Sequence, residues 1–192
     1  MQIYHFSVLH NVKIEMKWVP RRLNQRADAI SRIVEVDDWQ VSVDFFNVLN
    51  SCWGPFTVDL FANNINFKVK KFYSRFWTDG TAGVDCFAFD WHGENCWVVP
   101  PVRLVGKTIL HLIKARTRAT LIVPLWYSAA YWPLLVGYAG NFRSFVVQVK
   151  RFTQTNGIFV QGSVPSIFGP GFNSPVLALR IDTRNYGLGY VK

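Results

Sequence analysis

The feature that most constrains the fold is an uncharged stretch, residues 119–140, which is long enough to be compared with a membrane-spanning helix. Pro124 and Pro133 interrupt it, and a proline inside a helix removes a hydrogen bond and clashes with the preceding turn. We therefore expect a buried strand at 119–124, a turn, and a helix near 129–136, with no membrane partner. Because ATLIVP is apolar on both faces, this strand is predicted to lie in the middle of a parallel sheet.

The rest of the chain alternates between strand and helix patterns. Strands are predicted at 56–62, 86–91, 96–99, 144–150 and 175–182, with sheet positions Val58, Leu60, Leu121, Ile122, Val123, Val146 and Val147. Helices are predicted at 39–50, capped by Asp38 and stopped by Gly54-Pro55, and at 102–115, opened by Pro100-Pro101 with a stripe of Val102, Val105, Ile109, Leu112 and Ile113. Residues 63–84 and 153–175 are predicted to be irregular. This order predicts an α/β fold, a Rossmann-like three-layer sheet with crossover helices.

The first residues have a different pattern. Between 12 and 19, Val12, Ile14, Met16 and Trp18 alternate with polar residues, which predicts a half-buried strand. Pro20 ends this strand, and Asn24 is placed to cap a helix at 25–33. The predicted domain is therefore preceded by a separate strand–helix unit.

Within this unit, WVPRRLNQRADAISR at 18–32 resembles the end of the ribonuclease H domain of retroelement polymerases. The resemblance implies that residues 1–33 are a strand–helix remnant of that fold, and that Asp28 matches the last metal-binding carboxylate of the family. The intact domain uses Mg²⁺ in two-metal catalysis, which needs several converging carboxylates. Glu15 is the only other acid here, and the alternation turns it away from the apolar face. We therefore expect no ribonuclease H activity.

From Asp37 to Leu135 the chain resembles the domain that follows ribonuclease H in DIRS-type, tyrosine-recombinase retroelements. The resemblance rests on the segments DDWQVSVDFF, WGPFTVDLFANNINFK, GVDCFAFDW and LIVPLWYSAAYWPLL. That domain is related to the phage-type Dam adenine methyltransferases, so the resemblance implies a Dam-methyltransferase-like domain at 37–185. The whole chain then resembles a fragment of a reverse transcriptase/ribonuclease H polyprotein.

The methyltransferase resemblance locates a degenerate site. Matching residues are Asp59, Asn66, Val99, Pro100, Pro101 and Val102. In the family an Asn or Asp stands in place of Val99 to accept hydrogen bonds from the adenine amino group, and an aromatic residue in place of Val102 stacks on the flipped base. Neither valine can do so, and no glycine-rich loop follows a strand and opens a helix. We expect no methyl transfer and no tight S-adenosylmethionine binding. Asp59 has two interpretations: it contacts a ribose hydroxyl, or it caps the following turn, which we favour.

The formal net charge of the chain is +9, of which +4 falls in residues 1–33 and +5 in residues 34–192. A basic balance indicates either a polyanionic partner, most commonly nucleic acid, or simple solubility. The best binding candidate is the segment 68–77, in which cations alternate with aromatic rings. The candidate nucleic-acid-binding residues are Lys68, Lys70, Lys71, Tyr73, Arg75, Arg21, Arg22 and Arg26. Alternatively, Phe72, Phe76 and Trp77 belong to the core and the cations only face water.

The remaining reactive residues indicate no further site. Cys52, Cys86 and Cys96 lack a Cys-x-x-Cys pair, so we expect reduced thiols, no metal site and an intracellular location, cytoplasmic or nuclear. For the acids Asp85, Asp90 and Glu94 we expect structural or solvated roles.

Three hypotheses follow. The first is a non-catalytic domain that holds single strands or RNA–DNA hybrids. The second is a degenerate DNA adenine N6-methyltransferase. The third is a structural unit that packs against the polymerase and ribonuclease H domains of the parent polyprotein, and it would be favoured if residues 1–33 expose an apolar face.

Overall fold

The computed structural model describes residues 7–9, 11–13, 15, 17–20, 39–160, 167–169 and 171–187. Internal contacts divide the chain into two compact units, Met1–Glu35 and Val36–Lys192. None of the helices within the described residues is both long and apolar enough to cross a membrane.

The second unit alternates short helices and strands. In chain order its elements are β1 (Gln40–Val41), α1 (Val43–Trp53), β2 (Val58–Asp59), β3 (Tyr73–Ser74), β4 (Gly83–Val84), β5 (Asn95–Val98), α2 (Val105–Ala115), β6 (Arg118–Pro124), α3 (Trp132–Leu135), β7 (Val146–Phe152), β8 (Phe159–Val160) and β9 (Val176–Asp182). Short 3₁₀ turns at Cys86–Ala88 and Val102–Leu104 precede β5 and α2 respectively.

A five-stranded mixed sheet forms the centre, with the strand order β2-β5-β6-β9-β7. Strands β2, β5 and β6 are parallel, whereas β9 pairs antiparallel with both β6 and β7. The predicted α/β class is therefore confirmed, and β6 is the buried middle strand that the uncharged segment predicts. The sheet is not wholly parallel, because the last strand of the chain inserts antiparallel between β6 and β7.

Alternate side chains of the sheet enter two hydrophobic clusters, one on each face. In β5, Cys96 and Val98 belong to the cluster that contains α2 residues, whereas Trp97 belongs to the cluster that contains α1 residues. Three residues of the predicted stripe, Val105, Ile109 and Leu112, are buried on α2, whereas Ile113 is half-buried and Val102 lies in the preceding 3₁₀ turn. The two helices thus cover opposite faces, as the period-2 alternation of buried strands requires.

Helix α1 begins four residues later than predicted. Ser42, and not Asp38, is its cap: the Ser42 side chain accepts a hydrogen bond from the backbone N–H of Phe45 at 3.2 Å. The preceding residues 40–41 form β1, which pairs antiparallel with β8. A strand partner from far along the chain therefore replaces the first helical turn. The predicted stop at Gly54-Pro55 is confirmed, because α1 ends at Trp53.

Other predicted strands are shorter or absent. The segment predicted as a strand at 56–62 contributes only β2, and residues 86–91 contain the 3₁₀ turn instead of a strand. Asp85 explains the turn, since its backbone φ is 59° and its carboxylate accepts a hydrogen bond from the N–H of Phe87 at 3.1 Å. The irregular segment 153–175 contains β8. These differences occur where local capping or a distant partner outweighs the apolar pattern.

The strand predicted at 12–19 is wrong for the residues that the structure describes there. Residues 12, 13, 15 and 17–20 are in no strand, and Trp18 is 86% exposed. Alternation produces a strand only where a second strand satisfies its backbone groups, and none of the described strands pairs with this segment. Glu15 is exposed, as expected, and its carboxylate lies 2.8 Å from Lys13 Nζ. The helix predicted at 25–33, with Asp28, lies outside the described residues.

Candidate functional site

A shallow cleft opens where the carboxyl ends of β2 and β5 lie side by side. It is lined by Trp39, Gln40, Val41, Asp59, Phe61, Asn66, Lys68, Trp97 and Val99. Ligands of open α/β sheets bind outside the carboxyl ends of parallel strands, so this is where a ligand site is expected. The cleft also brings together three residues that the methyltransferase resemblance selects, Asp59, Asn66 and Val99.

Asp59 is buried at the end of β2, and its carboxylate accepts two backbone hydrogen bonds. The donors are the N–H of Lys68 at 3.0 Å and the N–H of Phe61 at 3.4 Å. Burial raises the pKa of Asp59 to about 6, although these hydrogen bonds and the charge of Lys68 act in the opposite direction. The carboxylate therefore holds both ends of the loop that follows the strand.

The polar groups of that loop also satisfy one another. Lys68 Nζ donates to the carbonyl oxygen of Asn66 at 2.8 Å, and Asn66 Oδ1 accepts from the N–H of Asn63 at 2.8 Å. Partial burial lowers the pKa of Lys68, and the nearby charge of Asp59 partly offsets this effect. These bonds favour the interpretation of Asp59 as a cap of the following turn over that of a ribose ligand.

The segment Val99–Val102 presents apolar groups to the cleft and the core. Val99, Pro100 and Pro101 are buried, and Val102 is half-buried. The indole N–H of Trp39 donates to the carbonyl oxygen of Pro100 at 2.7 Å. A backbone acceptor within the degenerate motif is thus already engaged, and neither valine side chain can accept a hydrogen bond.

Residues 65–81 are here called the basic loop. The predicted binding residues in this segment differ in their exposure to solvent. Lys70, Lys71 and Arg75 are exposed. Tyr73, in contrast, is only 7% exposed and stacks on Phe89 with 4.5 Å between ring centroids. Its ring is therefore covered by protein and cannot stack on a base, which corrects the expectation for this residue.

The other aromatic residues of the basic loop, which are alternatively predicted to be core residues, also differ in exposure. Phe72 is buried, but Phe76 is 51% exposed and Trp77 is 76% exposed. Within the described part of the chain, Trp77 has no aromatic partner. The interpretation that these rings are core residues thus applies to Phe72 and not to Phe76 or Trp77. Two large rings instead face water beside exposed cations.

Phe67 is a further exposed ring that is not among the binding residues predicted from the sequence. It is 44% exposed and lies nearly parallel to Phe72, with 5.0 Å between centroids and 9° between ring planes. One face of the Phe67 ring is thus covered by a buried partner. No periodicity marks Phe67 in the sequence, because it lies in an irregular loop whose partners are set by tertiary contacts.

The two neighbouring lysines of the basic loop differ in their electrostatic surroundings. Lys71 Nζ lies 2.5 Å from Glu94 Oε1, and this hydrogen bond raises the pKa of Lys71. Although burial alone would raise the pKa of Glu94, the hydrogen bonds from Lys71 and Thr57 lower it. Lys70 has no ion pair among the described residues. Its charge is therefore the less compensated of the two.

The acid Asp90 has a structural role, one of the two roles expected for it. Asp90 accepts a hydrogen bond from the N–H of His92 at 2.9 Å, so it caps a turn as Asp85 does. In the residues that the structure describes, no group of three His, Cys, Asp or Glu side chains is placed to hold a metal ion. Arg21, Arg22 and Arg26 lie outside the described residues.

No protein-family model matches this chain, and no curated protein matches it. Any functional proposal therefore depends on the residues of the cleft and of the basic loop.

Proposed function

We propose that the chain is a fragment of a DIRS-type retroelement reverse transcriptase/ribonuclease H polyprotein, and that its Rossmann-like domain at 37–185 is non-catalytic and binds nucleic acid through the basic loop. The observation that supports the binding role is the exposure of Phe76 and Trp77 in the same segment as the exposed cations Lys70 and Arg75. Cations neutralise phosphates, and exposed rings stack on bases whatever their sequence. Binding of this kind would be indifferent to sequence.

The arrangement of charge and ring within the loop supports this proposal. The guanidinium carbon of Arg75 lies 4.9 Å from the centroid of the Phe76 ring, within the range of a cation–π interaction. A planar cation against an exposed ring offers a phosphate partner and an apolar surface within one short segment. Arg21, Arg22 and Arg26 are proposed to add phosphate contacts from the basic first segment.

The residues of the cleft favour the loss of methyl-transfer activity over a working methyltransferase. The polar groups of Asp59, Asn66 and Lys68 already form hydrogen bonds within their own loop. The carbonyl oxygen of Pro100 accepts a hydrogen bond from Trp39. The grouping of Asp59, Asn66 and Val99 is compatible with descent from a methyltransferase. A site that holds S-adenosylmethionine and a flipped adenine needs acceptors that these residues do not offer, so a working adenine methyltransferase remains the less favoured alternative.

The salt dependence of oligonucleotide binding tests the proposal. Log affinity for a single strand should fall linearly with log salt, with a slope of about 0.7 for each phosphate neutralised. Replacing Lys70 and Arg75 together by alanine should therefore flatten the slope by roughly 1.4. Fluorescence anisotropy of a labelled oligothymidylate, titrated at several salt concentrations, measures both the affinity and the slope.

A second double variant controls for net charge alone. Lys114 and Arg151 are exposed outside the basic loop, so replacing both by alanine removes the same charge and should leave the slope unchanged. Equal flattening in the two double variants would contradict a localised site. Failure to bind any oligonucleotide at low salt would reject the binding role altogether.

One observation favours the second candidate, a unit that packs against the polymerase and ribonuclease H domains of the parent polyprotein. The described residues of the first segment expose several large apolar side chains: Val8, Leu9, Val12, Trp18 and Val19. If these side chains form one continuous apolar surface, that surface favours packing against another protein. If the chain binds no oligonucleotide, this candidate replaces the first.

A further inference from the structure

We infer that the ligand of the basic loop is single-stranded nucleic acid, with Phe67 and Trp77 as the residues that stack on its bases. The inference rests on the proposed nucleic-acid-binding function and narrows it to one class of ligand. It also replaces Tyr73, which is buried, by two rings that face solvent.

Phe67 forms a platform with a rigid support. Its ring lies against Phe72 in a parallel arrangement, and Phe72 is buried with its carbonyl oxygen bonded by the N–H of Ala82 at 2.8 Å. A ring that is stacked on one side and almost half exposed can take a base on its other side. Because Phe72 already orients the ring, little rotamer freedom remains to be lost on binding.

The part of the loop that carries Trp77 is tied to the same buried residue. Ser74 Oγ donates to the carbonyl oxygen of Phe76 at 2.6 Å and lies 2.9 Å from Thr81 Oγ1. Gly80, with φ at +76°, lies beside the same ring, since a β-carbon there would be in ordinary van der Waals contact with Phe72 Cε1 at 3.7 Å. Residues 75–81 therefore return against Phe72, and the Phe67 platform and the Trp77 segment share this anchor.

The exposed faces favour unpaired bases over paired ones. In a duplex the bases stack on one another, so a surface ring reaches a base face only where the strand is unpaired. The phosphates of a duplex remain available to Lys70 and Arg75, so the cations of the loop bind either form. The rings therefore discriminate between the two forms, and the cations do not.

The test compares the same labelled oligothymidylate as a single strand and annealed to oligoadenylate. At equal salt, the single strand should bind the full chain roughly 10-fold or more tighter, since each stacked base contributes about 1–3 kcal/mol. Trp77→Ala should weaken single-strand binding roughly 5- to 150-fold and leave duplex binding unchanged. Phe67→Leu keeps an apolar contact with Phe72 but removes the ring face, so it should also weaken single-strand binding.

Two controls keep the result interpretable. Tyr138 is fully exposed outside the basic loop, so Tyr138→Ala should change neither affinity. Circular dichroism and urea unfolding check that each variant retains its fold, which we expect for Trp77→Ala because the side chain is exposed. Two results would overturn the inference while leaving the proposed function intact. One is equal affinity for the single strand and the duplex, and the other is unchanged single-strand affinity in both Trp77→Ala and Phe67→Leu. Absence of any binding would instead reject the proposed function.

Discussion

At the scale of single residues, Asp59 shows how a carboxylate at the end of a buried strand can have a structural role. Its carboxylate is buried at the end of β2, where it accepts the N–H groups of Phe61 and Lys68. These donors favour the ionised form, whereas burial favours the neutral form and prevails, which raises the pKa to about 6. At neutral pH the buried charge of Asp59 therefore destabilises the folded state, while its two hydrogen bonds hold the ends of the loop together.

Asp59 should therefore give the protein a distinctive pH dependence. Between its ordinary pKa of 3.8 and about 6, the folded state binds a proton more tightly than the unfolded state. The free energy of unfolding should then rise by up to roughly 3 kcal/mol from this group as pH falls through that range. Asp59→Asn removes this titration and leaves a pH-independent offset.

The measurement is the difference in free energy of unfolding between wild type and Asp59→Asn, taken from urea titrations at a series of pH values. The difference cancels the groups common to both proteins. Among them, Glu94 and Asp182 have lowered pKa values and lose their stabilisation as pH falls. A difference that stays flat from pH 7 to pH 4 would show that Asp59 is not held in a desolvated state.

At the scale of elements, helix α1 illustrates how a tertiary partner sets a boundary. Trp39 and Val41 are buried in the α1 cluster, and the N–H of Ser42 donates to the carbonyl oxygen of Ile158 at 2.7 Å. Residues 39–42 are consequently held in extended form by the segment around β8. The helix can begin only at Val43, where the Ser42 hydroxyl accepts the N–H of Phe45.

Removal of that cap should destabilise the domain measurably. Ser42→Ala leaves the backbone bond to Ile158 in place and deletes only the side-chain acceptor, so we expect a loss of about 1 kcal/mol. Urea unfolding monitored by far-UV circular dichroism reports it as a lower midpoint with an unchanged slope. Ser128→Ala, at an exposed turn position, is the matched control and should have no effect. An unchanged midpoint in Ser42→Ala would mean that β1–β8 pairing alone determines where the helix starts.

At the scale of the whole molecule, the order of the sheet determines where stability is concentrated. Strand β6 lies between β5 and β9 and is buried from its second residue onward, whereas β7 lies at the edge with Val147 exposed. The two clusters on the faces of the sheet meet on β6, with Leu121 on one side and Ile122 on the other. A change in β6 should therefore affect both layers.

Truncations to alanine in the two strands should differ several-fold in their effect on the free energy of unfolding. Leu121→Ala leaves a cavity under α2 and should lower the free energy of unfolding by about 2–5 kcal/mol. Val147→Ala, on the exposed edge, should change it by less than about 0.5 kcal/mol. Urea titrations of the two variants provide the comparison. Similar losses in both would place the stabilising core elsewhere than on β6.

Features of this protein that depend on local, strongly periodic patterns could be predicted from the amino-acid sequence. The buried strand at 119–124, the apolar stripe of α2 and the end of α1 before Gly54-Pro55 all follow from it. Burial on both faces, a helical repeat and a proline each act through neighbours close in sequence, so one segment contains the information. The α/β class follows from their order.

The exposure of individual rings and charges, in contrast, depends on tertiary contacts. Tyr73 and Trp77 lie in the same aromatic and basic segment, yet Phe89 covers Tyr73 and leaves Trp77 in water. The orientation of the Phe67 ring likewise depends on its contact with Phe72, a residue five positions away in an irregular segment. Strand β9 also pairs antiparallel with two strands that its own sequence does not identify, β6 and β7. Exposure and strand pairing are set by contacts between distant residues, and no local pattern encodes which of two similar rings will be covered.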